Sequence, residues 1–273
     1  MKTFEIIIDD NKSGLTLKDL LLREGYSVTL IKRVKYGGIA LNGECVTVRA
    51  TVKTGDVVTV TLPDEASDGI EPMDIPLRVL YEDEYILAVD KPGGMPTHPS
   101  KGNSLPTLAN AVMGMYGGNF VFRSINRLDR DTSGIVLIAK DQKSAGRLSV
   151  DMRKGLFRKF YECIAEGITE VRGEIDAPIE RESPDSIKRT VREDGKRAVT
   201  RFERIGIDGE NSRLRVELLT GRTHQIRVHM AYIGHPLVGD FLYGNRNEKG
   251  YFLRCVSLSF PHPITGEIIE IQS

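Results

Sequence analysis

Residues 63–75 read PDEASDGIEPMDI: five carboxylates, two prolines, no lysine or arginine and no apolar periodicity. Such a run supports neither an amphipathic helix nor a half-buried strand, so it reads as an acidic linker. It divides the 273-residue chain into a small block, residues 1–62, and a block of large-domain size, residues 76–273. Apolar residues make up 40% and charged residues 28%, a balance that supplies a packed core and excludes a mainly disordered chain. No apolar run is long enough for a membrane span. The N-terminus, MKTFEIIIDDNK, lacks the apolar region and cleavage site of a secretory leader. Cys45, Cys163 and Cys255 are odd in number and far apart, so they build neither a disulfide framework nor a C-x-x-C metal knuckle. Reduced thiols in a cytoplasmic protein are the expectation.

Formal net charge is zero, with 38 basic and 38 acidic residues, which by itself counts against a nucleic-acid partner. The distribution softens that objection. Residues 1–62 hold nine Lys/Arg against seven Asp/Glu, and residues 76–273 hold 29 against 26. The acidity is concentrated in the linker.

In the first block, an apolar strand at 3–8 precedes a helical stretch, Leu15–Glu24, with Leu15, Leu17, Leu20, Leu21 and Leu22 clustered at helical spacing. Gly25 stops it. Ser27 is the expected N-cap of a second helix through Tyr36, ended by Gly37-Gly38. Asn42-Gly43 marks a hairpin, and Gly55-Asp56 a turn before the alternating strand VVTVTL. In the second block, strands are expected at 77–81, 85–91, 133–140, 159–166, 198–205, 213–219 and 252–260, and helices at 108–115, 143–152 and 224–233. Strands outnumber helices without strict alternation. The expected fold class is α+β: a large, mainly antiparallel mixed sheet flanked by helices, preceded by a small α/β domain.

Three stretches could carry chemistry. In SINRLDRDTSGIVLIAK (124–140), Asp129 lies between Arg127 and Arg130 ahead of a Thr-Ser-Gly turn. A carboxylate held ionised by guanidinium groups serves as nucleophile or general base; taken singly, an Asp that caps its own turn is the simpler reading. In LLTGRTHQIRVHMAYIG (218–234), Thr223 is a candidate N-cap and Gly234 a candidate C′ residue. Ile226, Met230 and Ile233 face the core, and Arg227 beside that stripe could meet a carboxylate at a buried edge. His224 and His229 are five apart, unsuited to a zinc pair, and read as solvated or hydrogen-bonding histidines. In RKFYECIA (158–165), Lys159 and Tyr161 share a strand face; Tyr161 is either core with a satisfied hydroxyl or a ring that stacks on a nucleobase. Phosphate-loop, dinucleotide, HExxH and serine-triad patterns are missing from the sequence.

Together, RLDRDTSG (127–134), the Lys-x-Tyr of 159–161, GRTHQIRVH (221–229), GHPLVGD (234–240) with Tyr243-Gly244, and YILAVDKPGGMPTHP (85–99) upstream resemble the RluA family of RNA pseudouridine synthases over residues 76–273. Thr132-Ser133-Gly134 and Thr223-His224 match it better than the related RsuA family. Residues 1–62 resemble an S4 RNA-binding domain. One departure stands out: Asn126 occupies the place of the family's usual His before Arg-Leu-Asp.

The resemblance implies isomerisation of uridine to pseudouridine in structured RNA, with large-subunit rRNA first and tRNA second, and with no cofactor or metal. Asp129 would be the catalytic carboxylate, Arg227 its partner, and Tyr161 the ring stacked on uracil. Leu253 would close the pocket, and Arg127 would fill the space left by the flipped base. In an S4 setting Lys32, Arg33 and Lys35 become phosphate contacts rather than a solvated helix face. A cytoplasmic monomer without obligatory protein partner or membrane contact completes the expectation. Two other classes stay open: a non-catalytic RNA-binding or ribosome-assembly factor, and a carboxylate-based N-glycosidase acting on free nucleosides. The N-terminal block discriminates against the second of these.

Overall fold

The computed structural model describes residues 1–65, 69–100, 106–244 and 250–273. Residues 1–62 contain β1 (Thr3–Ile7), α1 (Leu17–Arg23), α2 (Val28–Val34), β2 (Ile39–Leu41), β3 (Glu44–Cys45) and β4 (Val57–Thr61). The four strands make an antiparallel sheet in the order β1-β4-β2-β3. Strand alternation turns Phe4, Ile6, Val58 and Val60 inward, onto Leu17, Leu20, Leu21, Leu30, Ile31 and Val34 of the helices. Both helices begin at side-chain caps: Thr16 accepts from Asp19 N–H, and Ser27 from Leu30 N–H. Leu15 therefore precedes the first helix, and Leu22, expected in the apolar cluster, faces solvent. The second helix ends at Val34, short of Tyr36. Asn42 and Gly43 take φ values of 51° and 86°, as a two-residue primed hairpin turn requires.

The rest of the chain runs β5 (Arg78–Glu82), β6 (Ile86–Lys91), α3 (Leu108–Met115), β7 (Ser133–Ala139), α4 (Gln142–Arg153), β8 (Arg158–Ala165), β9 (Arg172–Asp176), β10 (Ile179–Arg181), β11 (Arg189–Val191), β12 (Val199–Asp208), β13 (Asn211–Leu218), α5 (Gln225–Tyr232), β14 (Leu253–Pro261) and β15 (Ile268–Gln272). Nine strands form one sheet, β5-β6-β7-β14-β8-β13-β12-β9, with β15 beside β14. Every pairing is antiparallel except β7 with β14, so the sheet is mixed and mainly antiparallel. The seven expected strands are present with ends shifted by a few residues. Strands β9, β10, β11 and β15 were not expected: RGEID, IER, RTV and IIEIQ are short and mostly polar or charged, without a clean apolar alternation.

The parallel junction is tight. Gly134 pairs with Cys255 and has φ +107°; a Cβ there would fall 2.2 Å from the Cys255 carbonyl oxygen. Only glycine lets the turn before β7 approach β14 this closely. Strands β6 and β7 are buried nearly throughout and anchor the main core with α3, α4 and β14. Among the described residues, no helix is long and apolar enough to cross a membrane.

The N-terminal block packs directly on the larger one. Lys2 donates to Asp141 at 3.0 Å and to the Glu84 carbonyl at 3.1 Å, with its ammonium over the Tyr85 ring. Lys143 lies 4.2 Å from the Phe4 ring centroid. Gly146 of α4 presses on Gly25, where a Cβ would come within 2.5 Å of the Gly25 oxygen. In the acidic segment, Glu65 joins Arg33 at 3.2 Å to Arg123 and Gln142, which also hydrogen-bond it.

Candidate active site

The turn carrying Asp129 is pinned from three sides. Asn126 spans the start of β7, its amide donating to the Ile135 carbonyl at 2.9 Å and its oxygen accepting from Leu137 N–H at 2.8 Å. A carboxamide carries both a donor and an acceptor, which is what this pair of backbone groups needs. Thr97 donates to the Leu128 carbonyl at 2.9 Å and accepts from Leu128 N–H at 3.3 Å. Lys91, fully buried, donates to the carbonyls of Pro92, Met95 and Arg130 at 2.9, 2.6 and 3.0 Å. Burial pushes its ammonium down to about 8, against a pull upward from Asp131 and Asp129.

Held this way, Asp129 opens onto a cleft of about 590 Å³, lined also by Arg127, Lys159, Tyr161, His224, Arg227 and Leu253. The five residues expected from sequence at the catalytic centre therefore share one cavity. The Asp129 carboxylate is 29% exposed and makes no hydrogen bond among the described residues. Arg227 Nη1 and His224 Nε2 each stand 3.9 Å from its Oδ2.

Arg227 does meet a carboxylate at a buried edge, but its close partner is Asp240. Nε and Nη2 donate at 2.7 Å to the two Asp240 oxygens, a two-pronged pair in a dry site. Asp240 also accepts from Leu242 and Tyr243 N–H. The guanidinium carbon lies 4.5 Å from the Tyr251 ring centroid and 4.9 Å from that of Tyr243. Asp240 stands in the GHPLVGD motif, and its carboxylate is the residue that reading the motifs alone missed.

Helix α5 starts one residue later than expected. Its N-cap is His224, not Thr223; His224 is left-handed at φ 58° and gives no capping hydrogen bond. Gln225 serves the helix start instead, accepting from Thr220 and Arg222 N–H and donating to the Val199 carbonyl and Thr200. His229 is buried between Thr200 at 2.8 Å and the Ala177 carbonyl at 2.9 Å, a structural hydrogen-bonding role.

Tyr161 on β8 is 6% exposed and its hydroxyl is hydrogen-bonded to Cys255. Burial raises the phenol well above its ordinary range and pushes the Cys255 thiol up to about 12, so both keep their protons at neutral pH. Lys159, two residues away on the same strand face, is buried with no hydrogen bond or ion pair among the described residues. Arg127 is exposed at the rim, and its guanidinium is likewise unpaired among the described residues. Lys32 and Lys35 stand on or just after α2, away from the cleft, with Lys35 4.4 Å over the exposed Tyr36 ring. Arg33 is engaged by Glu65. Among the described residues, no group of three or more His, Cys, Asp or Glu could hold a metal ion.

The chain matches the family model described as RNA pseudouridylate synthase over residues 85–232. It is 39% identical over 268 residues to the uncharacterized RNA pseudouridine synthase YjbO of Bacillus subtilis, covering 95% of each. It is 38% identical over 257 residues to ribosomal large subunit pseudouridine synthase D of Vibrio cholerae, covering 87% of this chain and 79% of that protein. Human RNA pseudouridylate synthase domain containing 1 superposes with a TM-score of 0.63 at 26% identity, over 72% of this chain and 83% of that one.

Proposed function

Since the chain belongs to the RNA pseudouridylate synthase family, as an RluA-type RNA isomerase, we propose that it isomerises uridine within large-subunit ribosomal RNA, using Asp129 as the catalytic carboxylate. The observation that carries this reading is the cleft itself: among the described residues it holds one carboxylate, free of hydrogen bonds, beside a buried tyrosine and a leucine. The similarity to a ribosomal large subunit enzyme supports the choice of RNA.

The uridine is flipped from its stack into the cleft, which costs a few kcal/mol. Arg127, exposed at the rim, stacks in the space it leaves. Tyr161 lies against the uracil, and Leu253 closes the pocket over it. The Asp129 carboxylate attacks C1′ or C6, or removes a sugar proton. The C1′–N1 bond breaks, the uracil turns, and C5 bonds to C1′. A proton leaves C5 and one arrives at N1, so no atom is gained or lost. Arg227, tethered by Asp240, places a positive charge 3.9 Å from the Asp129 carboxylate.

Residues 1–62 act in this reading as an S4-like RNA-binding domain, 63–75 as its linker and 76–273 as the catalytic domain. Lys32 and Lys35 contact phosphate, with Arg33 held back by Glu65. The enzyme works as a cytoplasmic monomer.

Pseudouridine mapping in cells with the gene intact, deleted, or restored as Asp129→Asn tests the reading. A large-subunit rRNA site lost on deletion and not restored by Asp129→Asn is the expected result. Loss confined to tRNA would move the substrate. No change in any RNA, together with no activity of purified enzyme on unmodified rRNA and tRNA, would leave a non-catalytic RNA-binding protein.

A further inference from the structure

Two non-glycine residues among those described have positive φ: Asn42, in its hairpin turn, and His224. The turn accounts for Asn42. No capping bond accounts for His224, whose side chain accepts from no backbone N–H of α5. Backbone strain of this kind persists where the surroundings over-determine it, and it clusters at functional sites. Here the left-handed conformation sends the imidazole between two groups: Tyr243, whose hydroxyl is 2.7 Å from Nδ1, and Asp129, whose Oδ2 is 3.9 Å from Nε2.

The hydrogen bonds favour one ring tautomer, with the proton on Nε2. The Tyr243 hydroxyl accepts from Arg189 N–H at 2.9 Å. Burial pushes this phenol up to about 12, so it keeps its own proton, and the available acceptor is His224 Nδ1. The neutral imidazole then bears its hydrogen on Nε2, facing the carboxylate. The other charged and titratable groups around the ring are Arg227 of α5, Asp240 in the following loop and Arg189 of β11. Burial together with the two arginines outweighs Asp129 and Asp240 and keeps the imidazole below its ordinary value. At neutral pH, therefore, the tautomer decides whether Asp129 faces an N–H or a lone pair. Arg227 Nη1 approaches the same oxygen, Oδ2, at 3.9 Å.

We propose that Tyr243 and His224 form a tautomer-fixing relay that orients the Asp129 carboxylate: His224 Nε2–H and Arg227 Nη1 each point positive charge at Oδ2 from 3.9 Å and leave Oδ1 as the reacting oxygen. His224 is a positioning residue, and the proposal rests on Asp129 being the catalytic carboxylate. The relay works without a net charge on the ring, so it adds direction to the carboxylate without neutralising it.

Nitrogen-15 NMR of the histidine rings in the full-length protein reads the tautomer directly, without turnover. His224 is expected as the Nε2–H form in the wild type and as a mixture in Tyr243→Phe; an Nδ1–H form in the wild type would overturn the proposal. Single-turnover pseudouridine formation on unmodified large-subunit rRNA, from pH 5.5 to 8.5, reads its consequence. Tyr243→Phe is expected to lower the rate roughly ten- to hundredfold at pH 7.5 with RNA affinity unchanged. Its rate relative to wild type should recover only toward the acid end of this range, below the ordinary imidazole value, because an imidazolium carries Nε2–H whichever tautomer it came from. His224→Asn keeps a side chain that tolerates the left-handed backbone but cannot span both partners; it should lose activity without acid recovery. A wild-type rate and profile in Tyr243→Phe, or a wild-type rate in His224→Asn, would refute the relay. Inactivity of the wild type on every RNA would instead defeat the functional reading, while the nitrogen shifts still report the tautomer.

Discussion

Arg227 and Asp240 meet as a fork against a fork, with two donor–acceptor distances of 2.7 Å and Asp240 wholly buried. That pair occupies Nε and Nη2 and leaves Nη1 for Asp129. The guanidinium is thus fixed by one carboxylate in order to be presented to another. The division matters energetically, because the strong pair supplies rigidity, and the long, partly exposed contact supplies only a screened charge.

Removing Arg227 should therefore destabilise the fold as well as the site. Arg227→Met leaves the buried Asp240 charge uncompensated, at a cost of about 3–5 kcal/mol. Urea unfolding of Arg227→Met against the double variant Arg227→Met/Asp240→Asn checks this. The double variant should regain much of the loss, since Asn can still accept from Leu242 and Tyr243 N–H. Equal stabilities would mean that the Asp240 charge is not the source.

Asp129 should show the opposite pattern. Its carboxylate has no hydrogen bond to lose among the described residues, so Asp129→Asn should change stability by less than about 0.5 kcal/mol and leave RNA affinity intact. Tritium release from RNA labelled at uridine C5 should fall by at least ~10²-fold. Appreciable release would remove Asp129 from the chemistry.

Lys91 makes stability depend on alkaline pH. In the folded chain burial lowers it from 10.5 to about 8, and between those values the unfolded chain binds a proton that the native chain does not. Stability contributed by this group therefore rises with pH across that window, by at most about 3 kcal/mol. The urea midpoint of the wild type, measured against Lys91→Met, should move in the wild type's favour between pH 7.5 and pH 10. A constant difference would place the Lys91 titration elsewhere.

In the N-terminal block, charge reversal should separate neighbours in and just after α2. Lys32→Glu and Lys35→Glu should weaken RNA binding and lower the slope of log affinity against log salt by about 0.7–0.9 per lost phosphate contact. Arg33→Glu, whose wild-type partner is Glu65, should change the slope less. Titration at several salt concentrations distinguishes them, and equal slopes in all three would deny the block a phosphate-binding role.

Much of this architecture was legible from local chemistry. Helix α3 starts where Thr107 and Asn110 form a reciprocal cap, and the Asn42-Gly43 hairpin follows from backbone preference. Asp129, Tyr161, Arg227, Arg127 and Leu253 could be named because ordered motifs carry them, and they line one cleft. What escaped depends on distance along the chain or on polar strands. Arg227 finds Asp240 thirteen residues on, and no periodicity announces such a pairing. His224 displaces Thr223 as the N-cap because two distant groups, Tyr243 and Asp129, claim its ring; Thr223 has the better capping chemistry, and tertiary context overrides it. Strands β9 to β11 are short and mostly polar or charged, so no apolar alternation marked them.

Strand β14 lies between β7 and β8 in the sheet, although it follows both in the chain. Until residues 253–261 insert, the turn bearing Asp129 and the strand bearing Tyr161 belong to two separate ribbons. Each of these ribbons then has an open edge of unpaired backbone groups, the kind that pairs with other chains. This insertion is a high-contact-order event and so a slow one. Assembly of the cleft and protection from misassociation therefore arrive in the same step: a molecule whose two ribbons are joined through β14 has, by that fact, no edge left there to offer another chain.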